Sequence, residues 1–284
     1  VIRFTHISAA LTLSSLAELP TKGVDLKLIS AVKTISPNST FTVGLQIHHH
    51  PGFHTYWKNP GAVGYPTTIE WKLPPGFTAG PIRWPVPEMS DMAGNPVFGY
   101  KSDATLLIDL TTPAELPDEP SEIRAVVMWM ACSNECYPGN KTFTLSLPSA
   151  ESSVSDPANT AALSAAEKQI PQELKTWKAT IESKQDEKHI CLLLTPPADI
   201  PDIGAFRFYS SDGQISSDPD PEITKLDDDR IRIIAKRARF SPKNATSLPF
   251  VIIAEKPLSP NGPKFGTLSP QYPDQATEKN SPTP

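Results

Sequence analysis

The sequence predicts an all-β protein made of two antiparallel β-sandwich domains joined by a linker with a short helix. Three observations predict it. Apolar residues recur with period two in several short runs, which puts one face in a core and the other in water. Clusters of Pro, Gly, Asn and Ser separate those runs. Proline is abundant, 32 of 284 residues, about twice average usage, and proline breaks helix interiors and central strands.

Along the chain, Arg3 precedes a diluted apolar stretch from Ile7 to Leu16, and Ser15-Leu16-Ala17 carries small residues of the kind a secretory cleavage site uses. Residues 1–23 are therefore expected to be a signal remnant or a flexible N-terminus. Alternation begins at Val24, Leu26 and Leu28. It continues through Phe41, Val43, Leu45 and Ile47, then Ile69, Trp71 and Leu73. Ile123, Ala125, Val127 and Trp129 form one face of a further run, and Phe143, Leu145 and Leu147 complete a first domain over 24–148. Turns are expected at Pro37-Asn38-Ser39, Asn59-Pro60-Gly61 and Pro74-Pro75-Gly76.

Residues 149–173 read as a linker. Asp156-Pro157 offers an N-cap with Pro at the first helical position. Ala161, Ala162, Ala165 and Ala166 give a short helix near 157–169 that stops before Pro171. A second sandwich is expected over 174–256, from His189–Leu194 and a pairing of Arg230–Ala235 with Phe250–Ala254. Residues 257–284 are rich in Pro, Ser and Gly and are expected to be a disordered tail.

Composition excludes some function classes. The net charge is -5, from 26 Lys and Arg against 31 Asp and Glu, which argues against a nucleic-acid partner. No run reaches the ~18 apolar residues of a membrane-spanning helix. With three cysteines, the chain is no disulfide-dense scaffold.

Trp129-Met130-Ala131-Cys132-Ser133-Asn134-Glu135-Cys136-Tyr137-Pro138-Gly139 is the most informative segment. A strand runs into Cys132, three polar residues form a turn, and a second strand follows. Hairpin partners lie ~4.5–5.5 Å apart and disulfides need Cα atoms ~4.4–6.8 Å apart, so a bond across the loop is feasible. So short a loop constrains the unfolded chain little, which suits reversible exchange better than stapling. Three readings stay open: a redox-active pair, a structural disulfide, and a metal site. The last lacks a second Cys/His pair of matching spacing. Cys191, inside Ile190-Cys191-Leu192-Leu193-Leu194, is expected to be a small buried hydrophobe.

His48, His49, His50 and His54 are weak metal-ligand candidates; the bland alternative is a solvated turn with His54 packed beside Tyr56 and Trp57. No cofactor is called for. The triplets at Asn38, Asn140 and Asn244 fit a glycosylation pattern that arises often by chance.

Four further blocks carry a family likeness. They are Pro51-Gly52-Phe53-His54-Thr55-Tyr56-Trp57-Lys58-Asn59-Pro60-Gly61, Pro66-Thr67-Thr68-Ile69-Glu70-Trp71, Gly76-Phe77-Thr78-Ala79-Gly80-Pro81-Ile82 and Trp84-Pro85-Val86-Pro87. With the cysteine segment and its Tyr-Pro, they resemble the N-terminal domain of the thiol:disulfide interchange protein DsbD, in its ScsB-like branch. Phe206-Arg207-Phe208-Tyr209 is loosely similar to the second domain of that branch.

The resemblance implies immunoglobulin-like sandwiches in the periplasm. It implies a thiol–disulfide oxidoreductase component that takes electrons from a membrane donor and passes them to thioredoxin-fold proteins. Cys132 and Cys136 match the two redox cysteines; Cys136 would form the mixed disulfide and Cys132 would resolve it. Phe98 and Tyr100 fall where the family has a shielding cap loop, and Asn95-Pro96-Val97 replaces the acidic residues some relatives carry there. A non-catalytic, copper-handling binding module is the alternative function.

Overall fold

The computed structural model describes residues 19, 21–182, 188–200 and 202–273. Most of the expected signal remnant and the end of the expected tail lie outside the described residues. The chain is largely β-stranded, and the described residues contain one helix.

The first part of the chain forms β1 (Val24–Ser30), β2 (Val32–Thr34), β3 (Thr40–His49), β4 (Thr55–Gly61), β5 (Thr68–Lys72), β6 (Thr78–Ala79), β7 (Glu88–Met92), β8 (Asn95–Tyr100), β9 (Ala104–Thr111), β10 (Ser121–Cys132) and β11 (Cys136–Leu147). All but β2 make three sheets with orders β1-β3-β9-β6, β11-β10-β5 and β4-β8-β7. Alternation selects the faces. Phe41, Val43, Leu45 and Ile47 of β3 face Ile123, Ala125, Val127 and Trp129 of β10 across one core.

β9 departs from alternation. Leu106, Leu107, Ile108 and Leu110 are all fully buried, because the strand is covered on both faces. β12 (Val154–Ser155) pairs with β2, and α1 (Pro157–Glu167) follows. Asp156 caps α1 by accepting from the Ala158 N–H, and Pro157 opens it, as the sequence expects. Leu163 and Ala166 of α1 pack on Ile29 and Leu107. Gly44 permits the approach, since a Cβ there would lie 2.4 Å from Leu163 Cδ2.

The second part comprises β13 (Lys178–Ile181), β14 (His189–Thr195), β15 (Phe206–Ser210), β16 (Glu222–Lys225), β17 (Ile231–Lys236), β18 (Phe250–Ala254) and β19 (Phe265–Leu268). Its two sheets, β13-β14-β17-β16 and β15-β18-β19, enclose a second core.

Three expectations are corrected here. β17 does not pair with β18: β17 bonds to β14 and β16, and β18 to β15 and β19. Both strands carry an apolar face, but the two faces meet across the core rather than along one sheet. The segment from residue 257 is not a disordered tail throughout: β19 completes a sheet, and Leu258 and Leu268 are buried. Its prolines sit outside the β19 ladder. Cys191 is half-buried rather than buried, because β14 alternates and turns Ile190 and Leu192, not Cys191, into the core.

Candidate functional site

β10 and β11 form one long hairpin whose ladder ends with Cys132 directly opposite Cys136. Their Cα atoms are 4.1 Å apart and the sulfurs are bonded. The turn is Ser133–Glu135, closed by the Ser133 N–H donating to the Glu135 carbonyl at 2.9 Å. His54 fixes the end of β10: its N–H donates to the Cys132 carbonyl and the Cys132 N–H donates to the His54 carbonyl, both at 2.9 Å.

The two sulfur-bearing residues differ in access. Cys132 is fully buried, in a cluster with Tyr56 and Val97 against which Met92 and Met130 pack. Cys136 is exposed. The Tyr56 hydroxyl donates to Cys132 Sγ at 3.0 Å and lies 3.9 Å from Cys136 Sγ. Burial pushes the Tyr56 phenol above its ordinary pKa, so it remains a donor at neutral pH. Met92 Sδ lies 4.0 Å from Cys136 Sγ.

The β7–β8 hairpin supplies the cover, but not with the expected side chains. Successive strand residues point to opposite faces. Val97 therefore faces the disulfide, while Phe98 and Tyr100 turn into the first core. The Phe98 ring stacks edge-on against Tyr209 with centroids 4.7 Å apart, and the Tyr100 hydroxyl donates to the Pro85 carbonyl at 2.9 Å. The shield is Val97 with Met92 and, from β4, Tyr56. An alternation count from Tyr100 would have found Val97; nothing local marks Tyr56.

Around Cys136 the surface is mixed. The Glu135 carboxylate accepts from the Tyr137 hydroxyl at 2.6 Å. The Lys22 ammonium sits 3.7 Å from the centre of the Tyr137 ring, bringing a cation to the turn from more than a hundred residues away. The Phe53 ring lies 6.1 Å from that of Tyr137, tilted against it.

The histidines do not converge. β3 alternation turns His48 outward onto Asp103, and His50, just past the strand end, is exposed beside Asp25. The Asp103 carboxylate raises the His48 pKa. His49 turns inward, its Nε2 at 2.8 Å from Thr55 Oγ1, and burial lowers its pKa to about 4. His54 is buried beside the Tyr56 ring, and desolvation lowers its pKa as well. Among the described residues no group of three or more His, Cys, Asp or Glu could hold a metal ion.

Residues 26–148 match the family described as "Thiol:disulfide interchange protein DsbD, N-terminal". That match takes in both Cys132 and Cys136. Among solved structures, the N-terminal periplasmic domain of ScsB from Proteus mirabilis superposes with a TM-score of 0.63 at 15% identity, over 90% of this chain and 98% of that one. The shared fold thus runs past residue 148 into the second core. The DsbD N-terminal domain of Neisseria meningitidis, in its reduced form, is matched at 15% identity over 44% of this chain and 86% of that one, with a TM-score of 0.29. No curated protein matches the chain.

Proposed function

We propose that this protein relays reducing equivalents in the periplasm by thiol–disulfide interchange, with Cys132 and Cys136 as the reacting pair. The observation that carries the proposal is the asymmetry of access: Cys136 is exposed and Cys132 is fully buried. A donor thiolate attacks Cys136 Sγ in line with the S–S bond, a mixed disulfide forms, and Cys132 leaves as a thiolate. The Tyr56 hydroxyl already donates to that sulfur and stabilises the charge as it develops. The donor's second thiolate then attacks its own sulfur in the mixed disulfide and releases Cys136. Two electrons have entered the pair, and two protons restore the thiols. In the forward step the Cys136 thiolate attacks an oxidised acceptor and Cys132 resolves the mixed disulfide.

A membrane-embedded donor and thioredoxin-fold acceptors are the partners we infer, in keeping with the family match. We read the two cores as two immunoglobulin-like domains, about 24–148 and 174–273, joined by residues 149–173.

Trapping tests this directly. A Cys132→Ser chain that keeps Cys136 should accumulate a mixed disulfide with a thioredoxin-fold protein, and Cys136→Ser should not. Equilibration in glutathione buffers should populate the dithiol. A pair that stays fully oxidised with both glutathione and a thioredoxin-fold partner would remove the basis of the proposal.

A further inference from the structure

The hairpin that covers the disulfide has a second face, and part of that face meets the other half of the molecule. Cross-strand partners share a face. Ser90 with Val97 and Met92 with Asn95 lie on the disulfide side, whereas Met89 with Phe98 and Asp91 with Pro96 lie on the opposite side. On that opposite side Phe98 meets the Tyr209 ring. The Ser217 hydroxyl donates to the Pro96 carbonyl at 3.0 Å, and Arg207 Nη1 touches Met89 Sδ at 3.1 Å. Tyr209 and Ser217 are both buried.

Phe98 and Tyr100 anchor the hairpin in the first core, but its ladder to β4 is short. β8 pairs with β4 at Thr55↔Tyr100 and Tyr56↔Gly99, and the register then jumps to Gly61↔Val97. The residues that bulge out between, Trp57 to Pro60, include Asn59, whose Nδ2 donates to the Ser210 carbonyl at 2.7 Å. The hairpin therefore lies between the disulfide and Tyr209, Ser217 and Arg207 of the second β unit. Behind it, on the side away from the disulfide, lie Tyr209 and a cavity of about 490 Å³ lined by Met89, Phe98, Phe206, Tyr209, Ile223 and Ile253.

We propose that the second β unit braces the β7–β8 hairpin from behind, with Tyr209 and Ser217 as positioning residues that set how readily Cys136 is reached. The proposal rests on the exchange reading above and deepens it: the second domain regulates the reactivity of a disulfide it does not touch. Tyr209 blocks the hairpin's retreat through Phe98, and the Ser217 bond holds the Pro96 end of β8. Access limits exchange, so loosening the brace raises the rate of attack.

The test measures the rate at which dithiothreitol reduces the Cys132–Cys136 bond in the full chain. Ser217→Ala removes one hydrogen bond and should accelerate reduction by roughly threefold to tenfold, the range one such bond implies. Tyr209→Leu should accelerate it further. Ile233→Val trims the second core at a fully buried residue away from the hairpin and should leave the rate within about twofold, well below the change expected from the lost bond. Unchanged rates in Ser217→Ala, or equal acceleration in Ile233→Val, would overturn the proposal. Ser217→Ala keeps every ring contact, so it decides the matter even if Tyr209→Leu fails to fold. Failure of the exchange reading looks different: the unaltered pair would stay oxidised in glutathione and with a thioredoxin-fold partner, whatever dithiothreitol does to the variants.

Discussion

Tyr56 supplies the hydroxyl closest to the buried sulfur, and its effect depends on the charge that sulfur carries. A hydrogen bond to an ionised group contributes ~1.5–3 kcal/mol. Tyr56→Phe keeps the ring and removes the donor, so reduction by dithiothreitol at pH 7 should slow by about tenfold or more. An unchanged rate would mean that Cys132 leaves without help from the phenol. His49 makes a separate prediction. Its folded pKa of about 4 lies below the ordinary ~6.5. The unfolded chain therefore binds the extra proton between those values. Stability is fully present above pH ~6.5 and falls as pH drops toward 4, by at most about 3 kcal/mol. His48 has the opposite sign, since Asp103 raises its pKa, but that pair is exposed and screened. Thermal melts between pH 7 and 4 should show the loss, and His49→Gln should flatten it.

Two elements show how far local pattern reaches. The β10 face of Ile123, Ala125, Val127 and Trp129 is legible because one side of that strand is core and the other is not. β9 escapes the same reading because Leu106, Leu107 and Ile108 are buried in succession on both faces, and a continuous apolar run has no period. The second covering layer is α1, whose boundaries the Asp-Pro signal and the alanines mark well. Its docking is not marked: only the folded chain sets Leu163 over Gly44 and Leu107. Leu163→Ala should cost about 2–5 kcal/mol, read as a lower midpoint in urea, while Ala161→Ser, at an exposed position on α1, should cost under about 0.5 kcal/mol. Equal effects would show that α1 contributes nothing by packing.

For the whole molecule, the joint between the two cores combines apolar packing with buried hydrogen bonds. Asn59 is buried and bonds to the Ser210 carbonyl, while Tyr209 and Val251 pack into the first core. Asn59→Ala strands a buried carbonyl, which costs about 1–3 kcal/mol. Because the lost bond spans the joint, unfolding followed by Trp177, buried in the second core, should separate from unfolding followed by disulfide reduction. Coincident transitions in Asn59→Ala would show that the two cores remain coupled without this bond.

By itself the sequence determined the all-β class, the capped helix, the hairpin that opposes Cys132 and Cys136, and the likeness to DsbD-type domains. Each rests on residues close together in the chain: period-two alternation, an Asp-Pro cap, three polar residues between two cysteines. Tertiary structure alone decided which strands pair in the second core, that β19 and Leu258 belong to it, that Val97 and Met92 rather than Phe98 cover the disulfide, and that Tyr56 reaches Cys132 from 76 positions away. The reason is physical. Alternation tells which residues share a face but not what that face meets. The partner across a sheet, a core or a domain joint is chosen by packing between segments that no local pattern links.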